Sequence, residues 1–192
     1  KIIASHDWDY FSKITQSENS KNKKVSLKEF KNRKIHKQFS TLTSTQIKYY
    51  MRNNPDMILV TDKIKDFSLL KETFESFQNR LIVEVFSIDD YEKAKSYGFK
   101  YPLISIGAAG GEKALQYALE RGTDMIAIHT KRIPEFKHQL EDLVKNKKCV
   151  FSFSSNEKEF IKRNLMKTVT AFYSDYWDLS KGLCKSKECT TY

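Results

Sequence analysis

Several short apolar runs of this chain contain or end at an ionisable side chain. The ionisable side chains are His6 after residues 1–5, Asp62 after 57–61, Glu84 within 81–86 and His129 after 125–128. An imidazole titrates near neutral pH, so His6 is a candidate acid or base; the alternative is an ordinary surface or capping histidine. Asp62, Glu84 and His129 offer ligands for a divalent ion, provided that one cavity receives all three. For His129 the alternative is a hydrogen-bonded polar group of the core.

These positions depend on a series of apolar runs of strand length. The runs cover residues 57–62, 81–86, 102–106, 125–129, 149–153 and 169–173. They begin roughly 20 to 24 residues apart, which matches one strand, one helix and two short loops. The spacing predicts consecutive βα units of a parallel sheet, whose chemistry gathers at the carboxyl ends of the strands. Alternation along 81–86 also places Glu84 on the opposite face from Val83 and Val85.

Helix boundaries are marked by capping residues between these runs. Thr43 can begin a helix that ends near Asn53, and Ser87 begins another with the pattern of a capping box. Gly98 can end that second helix in a left-handed conformation. Asn156 is placed to cap the last long helix.

The chain of 192 residues carries a formal charge of +10, and much of that charge is local. Between residues 13 and 38 there are nine Lys or Arg against two Glu, a net +7. Residues 10–43 are polar and basic, which predicts a rim excursion that faces an anionic partner such as a phosphate ester, an acidic membrane surface, a polysaccharide or nucleic acid. The alternative is a solvated lysine-rich loop. No basic motif interleaved with aromatic residues supports nucleic acid.

The segment 107–113, Gly-Ala-Ala-Gly-Gly-Glu-Lys, joins a predicted strand to a predicted helix. Its exposed amides could hold a phosphate oxygen with help from Lys113. It lacks the Ser or Thr that follows Lys in a Walker loop. The alternative is a tight βα turn that requires small residues.

The order of these pieces resembles the glycerophosphodiester phosphodiesterase-like superfamily, which includes phosphatidylinositol-phospholipase-like branches. The matching pieces are the run into His6-Asp7, the run that ends at Asp62, Leu81–Ser87 with Tyr91 and Gly98-Phe99 behind it, 150–156, and 171–176 ending in Ser-Asp-Tyr. The resemblance implies a (β/α)8 TIM-barrel fold for residues 1–192 as a single domain with a polar tail at 179–192. It also implies hydrolysis of a glycerophosphodiester, a phospholipid headgroup or a phosphate-linked glycan.

The resemblance implies roles for individual residues. His6 matches a catalytic histidine and Asp62 matches an acid that binds Ca²⁺ or Mg²⁺. Lys63 and Lys65 flank Ile64, the position where the family often has Lys, and both are predicted to contact substrate. The substrate-binding prediction also includes Glu84 and Phe153, the latter standing where many members have Trp.

The same resemblance predicts a barrel that is incomplete at its N-terminal end, with the first one or two βα units absent. The family's first histidine and an acid-x-acid pair normally precede the His-Asp element. An open barrel would expose apolar lumen and strand edges. We therefore expect an upstream segment of the same protein, or a second chain, to complete the fold. A barrel that has lost catalysis and binds an anionic ligand or partner protein is the alternative function. The sequence gives no indication of the compartment.

Overall fold

The computed structural model describes residues 2–5, 7–15, 24–107, 110–174, 177–178 and 183–184, the last two pairs as backbone only. The α-helices in these ranges are α1 (Trp8–Ile14), α2 (Leu27–Asn32), α3 (Ser44–Asn53), α4 (Phe67–Thr73), α5 (Ile88–Ser96), α6 (Glu112–Arg121), α7 (Lys137–Lys145) and α8 (Lys158–Asn164). Short 3₁₀ helices lie at Glu75–Arg80 and Thr130–Arg132. The strands are β1 (Lys34–Ile35), β2 (Phe39–Ser40), β3 (Leu59–Thr61), β4 (Leu81–Val85), β5 (Pro102–Ser105), β6 (Met125–His129), β7 (Cys149–Phe153), β8 (Ala171–Phe172), β9 (Trp177–Asp178) and β10 (Leu183–Cys184).

Strands β3 to β8 form one six-stranded sheet in chain order, and the registers from β4 through β8 are parallel. Helices lie between successive strands, so the predicted series of βα units is confirmed. The apolar run before His6 predicts a short leading strand, but residues 2–5 do not form one, because Ile3 makes only an isolated antiparallel bridge with Thr43. No helix in the described part of the chain is long and apolar enough to cross a bilayer.

The chain divides into two compact units. The first comprises Lys1–Ile82 and Tyr97–Lys100, and the second comprises Val83–Ser96 and Tyr101–Tyr192. Fully buried side chains form the core of the first, among them Phe11, Phe30, Met51, Phe67, Leu70 and Phe74. The core of the second contains Val83, Leu103, Ile104, Ile126, Ile128 and Val150. The single barrel domain over 1–192 stays a prediction, and most of the tail at 179–192 lies outside the described residues.

The basic excursion at 10–43 contains regular structure where it is described. Helices α1 and α2 lie in it, and β1 pairs with β2 as an antiparallel hairpin. Asp7 caps α1 and Ser26 caps α2. Helices of seven and six residues are too short to show sustained apolar periodicity. Capping side chains therefore mark these elements more clearly than the apolar pattern does.

The helix signals read from the sequence are confirmed with one exception. The Thr43 N–H donates to Gln46 Oε1 at 2.9 Å at the start of α3, and the Asp90 N–H donates to Ser87 Oγ at 3.0 Å at the start of α5. Gly98, just beyond α5, has φ +83°. The prediction for Asn156 is wrong, because the N-cap residue of α8 is Glu157.

Candidate active site

The turn after β3 places the predicted metal-binding acid on the surface of the first unit. Thr61 is buried at the end of the strand, whereas Asp62 and Lys63 are exposed. Lys63 has φ +56°, a left-handed conformation that a side chain other than Gly adopts at a cost of order 1–3 kcal/mol. Strain of this kind persists where the surroundings hold it, and it gathers at functional sites.

A cavity of about 330 Å³ opens beside this turn. It is lined by Ile2, Ile3, Ser5, Asp7, Trp8, Asp62, Lys63 and Ile64. Lys63 Nζ lies 3.9 Å from Asp7 Oδ2, and both side chains are more than two-fifths exposed. Such an exposed pair contributes at most about 1 kcal/mol to folding, so its main consequence is to place the Lys63 ammonium beside Asp7 at the cavity wall.

Asp7 is held in place by the helix that it begins. Its Oδ1 accepts from the Tyr10 N–H at 2.6 Å, which satisfies one of the free amides in the first turn of α1. The same carboxylate therefore caps α1 with one oxygen and approaches Lys63 with the other. Sequence reasoning did not assign Asp7 a role, although the His-Asp dipeptide after an apolar run was the available signal.

A second cavity of about 320 Å³ shares part of this lining and is mostly apolar. It adds Ala4, Ile47, Leu59, Val60, Thr61 and Phe74 to residues of the first cavity, including Asp62. Asp62 thus lines both cavities, each of which combines polar side chains with mostly apolar walls. An amphiphilic ligand with a charged group and a hydrocarbon part has complementary surfaces at this position.

Two carboxylates that line one cavity suit a hard divalent ion. Mg²⁺ is commonly held by one or two carboxylates together with water and substrate phosphate, and Ca²⁺ takes the same oxygen ligands. Asp7 and Asp62 are the described residues that fit this donor set. Among the described residues, no three His, Cys, Asp or Glu side chains are grouped so that they could hold a metal ion. Glu84 and His129 belong to the second unit, so the set of Asp62, Glu84 and His129 stays a prediction.

In the second unit, Glu84 is a buried carboxylate on β4, only 8% exposed. Its Oε2 accepts from the Tyr173 hydroxyl at 3.2 Å. The neighbouring Val83 and Val85 are buried in the sheet, as the alternation of strand side chains requires. Because burying a carboxylate without hydrogen bonds is costly, Tyr173 stabilises Glu84 at this position.

Aromatic rings extend from this hydrogen bond along β7. The ring centroids of Phe153 and Tyr173 are 6.2 Å apart, and those of His129 and Phe153 are 5.5 Å apart in an edge-to-face arrangement. His129 Nδ1 accepts from the Lys131 N–H at 3.1 Å, which caps the 3₁₀ turn Thr130–Arg132. This hydrogen bond gives His129 a structural contact through Nδ1, and its metal-binding role stays a prediction.

A smaller polar cavity of about 170 Å³ lies at the carboxyl ends of β6 and β7. It is lined by Thr130, Lys131, Ser154, Ser155, Asn156, Glu157 and Phe160. Asn156 is 2% exposed, and its Oδ1 accepts from Ser174 Oγ at 2.8 Å. The run Ser154-Ser155-Asn156 directly after a strand was the signal for this cavity, which sequence reasoning missed.

The glycine segment at 107–113 behaves as a tight turn in its described part. Gly111 has φ +61°, and its N–H donates to Ile106 O at 2.8 Å. A Cβ on Gly111 would lie 3.1 Å from the Arg132 guanidinium, which explains the small residue. Glu135 pairs with that guanidinium, raising the pKa of Arg132 above its usual range and lowering the pKa of Glu135. Residues 108 and 109 lie outside the described residues.

The other predicted site residues belong to different units or lie outside the described residues. His6 lies outside the described residues, so its catalytic role stays a prediction. Lys65 is exposed and lines neither of the two cavities beside β3. Glu84 and Phe153 belong to the second unit, whereas Asp62 and Lys63 belong to the first. Their substrate-binding roles stay predictions.

Neither a protein-family model nor a curated protein matches the chain. Among solved structures, a glycerophosphodiester phosphodiesterase from Parabacteroides distasonis matches with a TM-score of 0.65 and 11% identity, covering 80% of this chain and 68% of that one. A provisionally named glycerophosphoryl diester phosphodiesterase from Agrobacterium tumefaciens matches at TM-score 0.64 and 11% identity, covering 90% and 75%. A provisionally named glycerophosphodiester phosphodiesterase from Galdieria sulphuraria matches with a TM-score of 0.60 and 12% identity, covering 81% of this chain and 68% of that one.

These matches define the class of fold. The described sheet, with parallel strands in chain order and helices between them, is an incomplete (β/α)8 barrel. It is of the type found in glycerophosphodiester phosphodiesterases, so the resemblance read from the sequence is confirmed at the level of the fold.

Proposed function

We propose that this protein hydrolyses phosphodiesters. One observation carries the proposal: Asp7, Asp62 and Lys63 line a single cavity at the carboxyl end of β3. The solved structures that share this fold include phosphodiesterases, which supports phosphodiester chemistry in general. The substrate class is a glycerophosphodiester, a phospholipid headgroup or a phosphate-linked glycan.

In the proposed mechanism, Asp62 and Asp7 would hold Ca²⁺ or Mg²⁺. When bound, the ion supplies charge that neutralises phosphoryl oxygens and orients the attacking nucleophile. Lys63 Nζ, held near Asp7 Oδ2, adds positive charge where the phosphoryl group gains negative charge. His6, adjacent to Asp7 in the sequence, donates a proton to the departing alkoxide oxygen.

The test measures hydrolysis of glycerophosphocholine and bis(p-nitrophenyl) phosphate with Mg²⁺, with Ca²⁺ and with a chelator. Turnover is expected with one ion and not with the chelator. Asp62→Asn keeps the size of the side chain and removes its charge, so kcat/KM should fall by a factor on the order of 10². Asp56→Asn changes an exposed aspartate that precedes β3 and is the matched control.

The results separate the two functions proposed from the sequence. Chelator-resistant turnover, or equal rates for Asp62→Asn and the control, would contradict the assignment of Asp62. If no turnover occurs with either ion and the protein still binds glycerophosphocholine in calorimetry, the inactive barrel that binds an anionic ligand is the better account.

A further inference from the structure

The described part of the basic excursion presents a hairpin with a strong positive charge, which we call the basic hairpin (residues 33–40). Residues 24–40 contain six Lys or Arg against one Glu. Within the hairpin, Lys34, His36, Lys37 and Phe39 are exposed, and Phe39 shows 58% of its surface to solvent. The hairpin thus offers a partner both a large apolar side chain and several cations.

The apolar residues of the hairpin share one of its faces. Ile35 and Phe39 are directly paired across the two strands, and Lys34 is paired with Ser40. Lys34 Nζ donates to Ser40 Oγ at 3.0 Å, which holds that lysine against the hairpin. Because side chains alternate along a strand, Ile35 and Phe39 form an apolar pair on one face of the hairpin, and Lys34 lies on the opposite face.

The tip of the hairpin uses residues that are uncommon in such a turn. The Gln38 N–H donates to Ile35 O at 3.1 Å, and His36 and Lys37 both have positive φ, 48° and 65°. Two consecutive positive φ values define a type I′ turn, where Asn-Gly is the common choice. In this protein the turn carries two basic side chains at the most exposed point of the hairpin.

The hairpin is anchored to the core of the first unit. The His36 N–H donates to Ile14 O at 2.8 Å, at the end of α1. At its base, the Phe11 and Phe30 rings stack at 4.9 Å, and the Arg33 guanidinium lies 5.6 Å from the centroid of Phe11. Phe39 is therefore exposed on a hairpin that hydrogen bonds and ring contacts hold against the core.

We propose that the basic hairpin docks on an anionic lipid bilayer, with Phe39 at the level of the headgroups and Lys34 and Lys37 against lipid phosphates. When the tip of the hairpin meets the bilayer, the exposed Phe39 ring fits the acyl boundary, and the cations at the tip and on the opposite face fit the negative headgroups. Single-stranded nucleic acid is bound by successive aromatic rings along a basic groove, and the hairpin has one aromatic side chain. The bilayer is therefore the partner that these residues fit.

Docking would also bring the candidate active site close to the membrane, a consequence that rests on the proposed function. Helix α1 begins beside the cavity lined by Asp7 and Trp8, and it ends at Ile14, which binds the hairpin. Its seven residues span about 10 Å at about 1.5 Å per residue. A phosphodiester in a lipid headgroup would then lie near the cavity.

The test is sedimentation of the purified chain with vesicles of phosphatidylcholine alone or with about 30% phosphatidylserine, at about 0.1 M and about 0.5 M salt. Binding is expected only with the anionic lipid, and it should weaken at high salt. Lys34→Glu with Lys37→Glu should weaken binding at least roughly 25-fold, since each lysine near an anionic surface contributes a factor of about five. Phe39→Ala should weaken it roughly tenfold.

Matched controls are Lys145→Glu with Lys158→Glu, which makes the same change in charge, and Tyr49→Ala, which removes another exposed aromatic side chain. Both should bind like the unaltered chain. Circular dichroism checks that each variant is folded. Hydrolysis of water-soluble glycerophosphocholine should be the same in hairpin variants and unaltered protein, so failure of docking and failure of the proposed chemistry are distinguished.

Absence of binding to anionic vesicles would overturn the proposal, and so would equal weakening by the hairpin and control charge changes. Release from vesicles by single-stranded DNA at matched phosphate concentration, with tight DNA binding lost in Phe39→Ala, would assign the hairpin to nucleic acid instead.

Discussion

The two units hold their ionisable groups in different surroundings. In the first, Asp7, Asp62 and Lys63 line a cavity and are open to solvent, and Lys63 has a left-handed backbone. In the second, Glu84 is buried under the Tyr173 hydroxyl, and His129 accepts a backbone N–H. Groups that remain accessible can meet a substrate, whereas groups whose hydrogen bonds are met within the protein chiefly position the chain around them.

The largest expected effect compares two histidines. His6→Ala should lower kcat by a factor of about 10² to 10⁴, the usual contribution of a general acid, and leave the fold intact. His129→Ala removes a side-chain cap, so it should cost about 1 kcal/mol of stability and change kcat less than a few-fold. Steady-state kinetics and urea unfolding of both variants measure this contrast. If His129→Ala lowers kcat more than His6→Ala does, the catalytic role belongs to His129.

A second comparison concerns the two lysines predicted to contact substrate. Lys63→Asn keeps a residue that tolerates positive φ and removes the cation from the cavity wall. It should lower kcat/KM by a factor on the order of 10 to 10². Lys65→Asn should have a smaller effect, since Lys65 lines neither cavity beside β3. Equal losses of kcat/KM in the two variants would show that lining the cavity does not give Lys63 a larger role than Lys65.

Much of the fold could be predicted because local signals and burial agree. The strands at 125–129 and 149–153 were bounded correctly, since each is a short and mostly apolar run between polar segments. Helix α3 begins at Thr43 as predicted because its capping partner, Gln46, is only three residues away. Signals of this range do not depend on the rest of the chain.

The parts that could not be predicted depend on distant contacts. Lys63 approaches Asp7 across 56 positions, and no local pattern encodes that distance. Asn156 is a good capping residue by type, but Ser174 binds its side chain and Glu157 begins the helix instead. The turn at His36-Lys37 has no glycine, so its hairpin gave no sequence signal.

The hydrogen bond between Tyr173 and the buried Glu84 in the second unit gives the next effect in size. Tyr173→Phe removes a hydrogen bond to a buried carboxylate and should lower the free energy of unfolding by about 1.5 to 3 kcal/mol. The loss should be smaller in a Glu84→Gln background, because the acceptor is then uncharged. Urea unfolding of the four proteins measures the coupling, with Tyr49→Phe as an exposed control. If Glu84→Gln raises KM and does not lower the free energy of unfolding, the result would instead support the predicted contact of Glu84 with substrate.

The smallest expected effect depends on pH and concerns a hydrogen bond between two helices of the second unit. Tyr117 on α6 donates a hydrogen bond to Glu92 on α5, and burial together with this bond raises the pKa of Tyr117 from 10.0 to about 12. The neutral phenol is the form favoured in the folded protein. Its contribution, about 1 kcal/mol, is therefore complete below pH 10 and is lost as pH rises through about 12. Tyr117→Phe lacks the contribution at every pH, so the difference in unfolding free energy between the two proteins should shrink between pH 10 and pH 12. Urea unfolding at intervals across that range measures it, and a difference that stays constant to pH 12 would show that the phenol titrates alike in the folded and unfolded chains.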